Sequence, residues 1–441
     1  LKKRGENSHP DELKKTHKNF TEQEIRDLQT WFNLTWIDPV FMEIFPELND
    51  LKHRGENFTE DEKNYVLDRH IDILKMIIPK YSQAWKEGRI EVSTTPFYHP
   101  ILPLIYDVKT AKACMECLPL DFEFSYPEDA DAQIKKGLEY ISEKFGRCPV
   151  GMWPSEGSVS PEVMNLLAKN GIKWAATDQE ILYKSRWISG EEFKQETIYK
   201  PHFVNTDSGR VNMVFRNLKL SDLIGFSYAS WNPQEAAEHF INELKKIKET
   251  LPEERACVNV ILDGENCWEY YNNDGKDFLN ALYSKLSECP DIITSTIGDM
   301  TEQWQEMPVI KKLWPGSWIN HDFHIWIGHE DDRKSWKLLK KTREALVNWE
   351  IEHRAEGDKL KRAWEALYIA EGSDWNWWYG DDHSSKNDSE FDNLYRLHLM
   401  NVYNITGMAV PDELFIPISK VDAAFHVVPT RFIYPVINGR V

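Results

Sequence analysis

The sequence predicts an α/β fold in which an irregular β/α barrel is followed by a helical bundle. Three observations carry this. Between about 89 and 300, short β-rich runs (RIEVSTT, CPVGMW, IKWAATD, VNMVF, VNVILD and IITSTI) alternate with longer stretches of helical periodicity, as in a parallel sheet with crossover helices. None of these runs leads into GxGxxG or a P-loop, which argues against an open nucleotide-binding sheet. Beyond a loop rich in aromatics at 313–330, segments 332–353, 358–371 and 389–405 carry apolar residues at helical spacing.

In chain order, two similar stretches come first, LKKRGENSHPDE at 1–12 and LKHRGENFTEDE at 51–62; their likeness stops there and reads as a reused turn. Each precedes a helix signal. Thr21 with Glu24 and Thr59 with Glu62 have capping-box spacing, in which each side chain bonds an otherwise unpaired backbone N–H. Ile71, Leu74, Ile78, Tyr81 and Trp85 then recur at helical intervals. In the last third, Trp336, Leu339, Leu346 and Trp349 form one face, Gly357 interrupts, and Leu360, Ala363, Trp364 and Leu367 form the next. The chain's 441 residues exceed what one hydrophobic core serves, so the expected division is a catalytic barrel with N-terminal helical insertions at 1–312, a bundle at 313–410 that completes the site, and the start of a β-rich segment at 411–441.

A net charge of -19 excludes a polyanionic partner, because nucleic acid and acidic membrane surfaces need a concentrated basic patch. No apolar run is long enough to cross a bilayer. The chain holds 18 Trp, 17 Tyr and 20 Phe, and flat apolar rings stack on sugar faces while indole N–H groups bond hydroxyls; core packing accounts for most of them. Six scattered cysteines lack the density of a disulfide scaffold, and Cys114 and Cys117 have no second pair at zinc spacing, so structural thiols in a reducing, cytoplasmic setting are expected. The chain opens on Leu1 inside a charged segment, so an upstream start is expected.

In a β/α barrel the reacting groups sit at the C-terminal strand ends. CPVGMWPSEGSVSPEV places Glu156 just past a strand and ahead of Ser160 and Pro161, good N-cap and first-turn residues. VNVILDGENCWEYY ends the apolar run 258–262 on Asp263. Either acid alone would more often be a cap or turn residue than a catalyst. Together they match glycosidic-bond cleavage, which needs one carboxylate at the anomeric carbon and another to protonate the leaving oxygen. Trp153 and Trp268 offer stacking surfaces at the same two strand ends.

The chain resembles glycoside hydrolase family 57. Four segments look like its second to fifth conserved regions, in order: GRIEVSTTPFYHPILPL at 88–104, GMWPSEGSVS at 151–160, VILDGENCWEYY at 260–271 and IAEGSDWNWWYGDDHSS at 369–385. FRNLKLSDLIGFSY at 215–228 and GSWINHDFHIWIG at 316–328 are also similar to family segments. The resemblance implies a distorted (β/α)7 barrel followed by a helical domain, and activity on α-1,4 or α-1,6 glucosidic bonds with retention of configuration. It puts the nucleophile on Glu156 and the acid/base, with its pKa raised by the neighbouring charge, on Asp263; Glu265 orients the loop. The family's first region, a His-containing first strand, has no counterpart before residue 88, so this strand is expected upstream of Leu1.

Substrate contacts are expected from Glu91, His99, Arg216, Asp374, Trp375 and Trp378. His99, beside Pro96 and Pro100, reads equally as a loop residue bonding backbone carbonyls, and Arg216 as a buried partner of a carboxylate. Trp377 is expected to pack in the bundle, and Trp375 and Trp378 to form an exposed cluster that closes over the barrel. Asp381, Asp382 and His383 read as a solvated acidic loop and not a metal site, for want of a histidine pair at ligand spacing. No cofactor is expected.

The reading is a retaining hydrolase or transglycosylase whose partner is an α-glucan or maltooligosaccharide. Two others stand beside it: a metal-dependent carbohydrate enzyme of the polysaccharide deacetylase or α-mannosidase kind, and a non-catalytic carbohydrate-binding protein. Oligomeric state has no signature in the sequence.

Overall fold

The computed structural model describes residues 17–419, except 193, 252–255, 266, 305, 354 and 355. At its centre lie β1 (Gly151–Met152), β2 (Trp174–Asp178), β3 (His202–Thr206) and β4 (Gly209–Arg216), in the order β1-β2-β4-β3. β1, β2 and β4 run parallel; β3 is antiparallel to β4. Single parallel bridges extend the sheet, Thr94 to Met152 on one side and Arg216 to Asn259 on the other.

The outcome for the predicted strands is mixed. CPVGMW, IKWAATD and VNMVF became β1, β2 and β4, whereas RIEVSTT and VNVILD supply one bridge each. In VNVILD, side chains take the place of a neighbouring strand: the Ile261 N–H donates to Ser221 Oγ at 3.2 Å, and its carbonyl accepts from Arg216 Nε at 3.0 Å. IITSTI forms no strand, because Thr296 instead caps a helix, accepting from the Asp299 N–H at 3.2 Å. The hairpin strand β3 went unpredicted. Seven strands are therefore not seen among the described residues; the sheet is small and mixed within an α-rich chain.

Alternation along the strands separates two faces. Trp174, Ala176 and Val214 pack with Trp153, Ile261, Ile297 and Met300. Met152, Ala175, Met213 and Phe215 join a large cluster that also holds Val163 and Leu167 of the helix Pro161–Lys169 and buried residues of the C-terminal helices. Counted from the N-terminus, the helices that matter are α1 (Glu22–Leu34), α2 (Glu60–Lys86), α3 (Pro127–Phe145), α4 (Pro161–Lys169), α5 (Gln179–Ile188), α6 (Pro233–Thr250), α7 (Lys276–Glu288), α8 (Glu330–Glu352), α9 (Gly357–Ala370) and α10 (Asp388–Thr406).

Both predicted capping boxes open helices, α1 at Thr21 and α2 at Thr59. On α2, however, Ile71, Leu74, Ile78 and Tyr81 are exposed, and only Trp85 of the predicted stripe is buried. The first copy of the repeated stretch, 1–12, lies outside the described residues. α8 to α10 match the three predicted helices, with Trp336, Leu339, Leu346 and Trp349 all buried. These helices share one hydrophobic cluster with the sheet, so 313–410 does not have a core of its own. Of the expected β-rich segment at 411–441, the described part forms a short 3-10 helix, Asp412–Phe415; residues 420–441 lie outside the description. All six cysteines are free thiols. Among the described residues no helix is long and apolar enough to cross a membrane.

The indole of Trp174 lies against Gly151, where a Cβ would fall within the ring itself. Gly151→Ala must push the indole aside and is expected to cost about 1–3 kcal/mol, the range for overpacking a filled core. Chemical denaturation measures this, and a variant as stable as the parent would refute the contact.

Candidate active site

Glu156 stands four residues past β1, in the turn that leads into α4. Its backbone is left-handed, with φ 55° and ψ 27°, a conformation costly for any residue with a Cβ. Gly157 follows at φ 59°, and a Cβ there would come within 2.8 Å of the Trp153 ring. Ser160 then caps α4, accepting from the Val163 N–H at 3.3 Å, with Pro161 in the first turn as predicted. Trp318 bonds Glu156 twice: its backbone N–H donates to the Glu156 carbonyl at 3.0 Å, and its indole N–H donates to Oε2 at 2.7 Å. Trp153 meets the Trp318 ring edge-on at 5.2 Å.

Burial raises the Glu156 carboxyl to about 7; the Trp318 hydrogen bond opposes this, while the charges of Asp263, Asp374 and Glu265 add to it. The fold thus draws together acids from three separate motifs. His99 joins them. Its φ is 57°, and its Nδ1 lies 2.8 Å from Ser373 Oγ. Burial lowers its pKa, against the pull of Asp374 and Glu265. The raised carboxyl here is that of Glu156, the residue the sequence reading made the nucleophile.

Arg216, read from the sequence as a substrate contact or as a buried partner of a carboxylate, is buried and engaged by protein groups. Nη2 pairs with Asp222 at 2.6 Å, Nη1 lies 3.8 Å from Asp178, and Nε donates to the Ile261 carbonyl. Asp178 and Arg216 are register partners at the ends of β2 and β4. The guanidinium sits 5.4 Å from the Trp318 ring centre, so Arg216 reaches Glu156 through Trp318.

Four of the expected contact residues lie elsewhere or point inward. Glu91 precedes the Thr94 bridge, at the opposite strand ends from Glu156. Both its oxygens are engaged at 2.8 Å, one by the Trp174 indole and one by the Gly298 N–H. Trp268 leans on Tyr271 in a cluster beneath α6 and α7. Trp375 donates to the Ile369 carbonyl at 2.9 Å and rests against Tyr395 and His398. Trp378 stacks on Phe391 at 5.1 Å. Neither of the last two is an exposed ring, because α10 covers both. Trp377 stacks on His383.

Sequence reasoning missed Trp318, although it lies in the quoted segment GSWINHDFHIWIG, and nothing local marked it as a partner of Glu156. It also missed Ser373. Among the described residues, the metal-ligating groups that converge are His324, His329 and Asp382, none of which belongs to the set around Glu156.

The family model for glycosyl hydrolase family 57 matches residues 2–311. The chain belongs to that family. Alpha-amylase 1 of Dictyoglomus thermophilum is 27% identical over 153 residues, which is 34% of this chain and 18% of that protein. The match thus spans less than a fifth of that relative. The crystal structure of a family 57 branching enzyme from Thermococcus kodakaraensis, in complex with glucose and additives, superposes with a TM-score of 0.62 at 17% identity, covering 90% of this chain and 77% of that one. The alpha-amylase AmyC of Thermotoga maritima gives 0.60 at 13% identity, covering 92% and 83%. These family 57 structures share this chain's fold.

The raised Glu156 pKa has a consequence for stability. The unfolded carboxyl ionises near 4.5 and the folded one near 7, so stability present below pH 4.5 is lost as the pH rises through 7. The loss is on the order of 3 kcal/mol. Glu156→Gln removes the titration. The variant should match the parent at pH 4.5 and exceed it at pH 8 by up to about 3 kcal/mol, measured by urea unfolding. Parallel curves for the two proteins would exclude the shift.

Proposed function

We propose that the protein is a retaining glycoside hydrolase or transglycosylase acting on α-glucans, with Glu156 as nucleophile and Asp263 as general acid/base. The observation that carries this reading is the gathering of the half-buried Glu156 and Asp263 with the exposed Glu265 and Asp374, whose charges all act on Glu156. Such a site repels anionic substrates and stabilises a positive charge developing on a neutral one. Glycosidic cleavage passes through a transition state of that kind, with oxocarbenium character at the anomeric carbon.

The Trp318 indole N–H supports the division of roles. A hydrogen bond to the ionised form favours the carboxylate of Glu156, the state a nucleophile needs, and so works against the rise that burial imposes. Asp263 would protonate the leaving oxygen as Glu156 attacks the anomeric carbon, and then activate water or a sugar hydroxyl to release the glycosyl-enzyme. His99, fixed by Ser373, and Asp374 are proposed sugar contacts, with the Trp153 and Trp318 rings as stacking surfaces. Arg216 is a positioning residue. The sheet, with its bridges at Thr94 and Asn259, is proposed as part of a distorted (β/α)7 barrel. A metal-dependent mechanism has less support, since the ligand set that converges excludes all of these groups.

Incubation with maltooligosaccharides, following chain lengths and anomeric configuration, tests the reaction. Shorter products indicate hydrolysis, longer ones transfer, and an inverted product overturns the mechanism. Glu156→Gln and Asp263→Asn should each lose turnover by 1000-fold or more, on the order of 4 kcal/mol, while glucan binding persists. Unchanged turnover in Glu156→Gln would remove it from the role of nucleophile. Trp318→Phe deletes one charge-assisted hydrogen bond and should move the acidic limb of kcat/KM up by about one pH unit. A limb left in place would show that the indole does not tune Glu156.

A further inference from the structure

Away from the carboxylate set, the loop after the 369–385 motif folds back onto the start of α8. Asp381 and Asp382 there meet two histidines from the aromatic loop. The Nε2 of His329 lies 3.2 Å from an Asp381 oxygen and 3.4 Å from an Asp382 oxygen; the Nε2 of His324 lies 3.9 Å from the same Asp382 oxygen. One ligand atom from each of His324, His329 and Asp382 can be chosen so that all lie within 4.8 Å of one another.

We propose that His324, His329 and Asp382, with Asp381 as fourth ligand, form a zinc site that ties this loop to the beginning of α8. Two imidazoles and two carboxylates are a donor set suited to tetrahedral zinc. At zinc–ligand distances of ~2.0–2.1 Å, tetrahedral ligands stand ~3.3 Å apart; the separations of 3.2, 3.4 and 3.9 Å lie near this, and the exposed Asp381 side chain must swing in to complete the set.

Three features go beyond what a chance ion pair requires. The Nδ1–H of His329 donates at 3.2 Å to the buried carboxylate of Asp332, which also accepts the His329 backbone N–H at 2.9 Å. A carboxylate behind the histidine in this way fixes the tautomer that leaves Nε2 free to bind metal. Gly380, at φ 81°, lies so close that a Cβ would enter the His329 ring, and a Cβ on Gly328 would enter that of His324. Both imidazoles thus lie in room that a glycine leaves.

The site has a structural purpose. Residues 380–382 follow the connection that carries Ser373 and Asp374 to His99, while His329 caps α8. A metal here would hold the far end of that connection against the start of α8.

The test titrates Zn2+ into the full chain after chelator treatment, by calorimetry and by thermal unfolding. One Zn2+ per chain is expected, with a rise in the unfolding midpoint, because a ligand bound only by the folded state stabilises it. Asp382→Asn and His324→Ala change partly exposed side chains, and each should weaken zinc binding at least tenfold and abolish the thermal shift. His383→Ala, which alters a neighbour stacked on Trp377, should leave both unchanged. No bound Zn2+ in the parent, or equal affinity in the Asp382 and His324 variants, overturns the site. Neither result bears on the glucan reaction, which is read separately from its products.

Discussion

Glu156 is held in a left-handed backbone conformation that a residue with a side chain adopts at a cost of roughly 1–2 kcal/mol. The surrounding chain has to impose it. Trp318 does so from a distant segment by bonding both the carbonyl and the carboxylate of Glu156, and Gly157 allows the Trp153 ring to come close on the other side. The turn can then reverse the chain from β1 into α4 while presenting the carboxylate to the site. If this clamp were released, the strand and the helix would remain but the acid would lose its direction.

The second constraint is charge. Burying Glu156 among Asp263, Glu265 and Asp374 raises its pKa to about 7, so the site works against part of its own stability above that pH. The cation best placed to relieve this, Arg216, is spent on Asp178 at the end of β2 and on Asp222, six residues beyond β4, and meets the site only across the face of Trp318. A negatively charged site left partly uncompensated is poorly suited to binding anions and well suited to stabilising positive charge on a neutral substrate.

The C-terminal helices belong to the same structure. A single hydrophobic cluster runs from the outer face of the sheet to α10, and Arg343 of α8 pairs with Asp129 of α3. Gln133 of α3 donates to Glu371 at 2.8 Å, next to the connection that delivers Ser373 to His99. Part of the site is therefore positioned by helices that begin some 200 residues after the first strand.

Features with local causes were legible. Capping boxes at Thr21 and Thr59, the cap at Ser160, the central strands and the three C-terminal helices all follow from side-chain spacing within a turn or two, and strand-end placement with four ordered motifs singled out Glu156 and Asp263. What depends on partners far away in sequence was not. RIEVSTT and VNVILD look like strands, but whether they join a ladder depends on what lies beside them, and in VNVILD side chains supply the bonds. Trp375 and Trp378 look like a lid until α10 covers them, Glu91 looks like a site residue until Trp174 and Gly298 occupy its oxygens, and Asp382 looks solvated until two histidines reach it. The sequence by itself singled out which carboxylates to consider, because that information lies in short motifs; only the tertiary structure decided the ionisation of Glu156 and what surrounds it, because burial and charge act through space between segments that the chain keeps far apart.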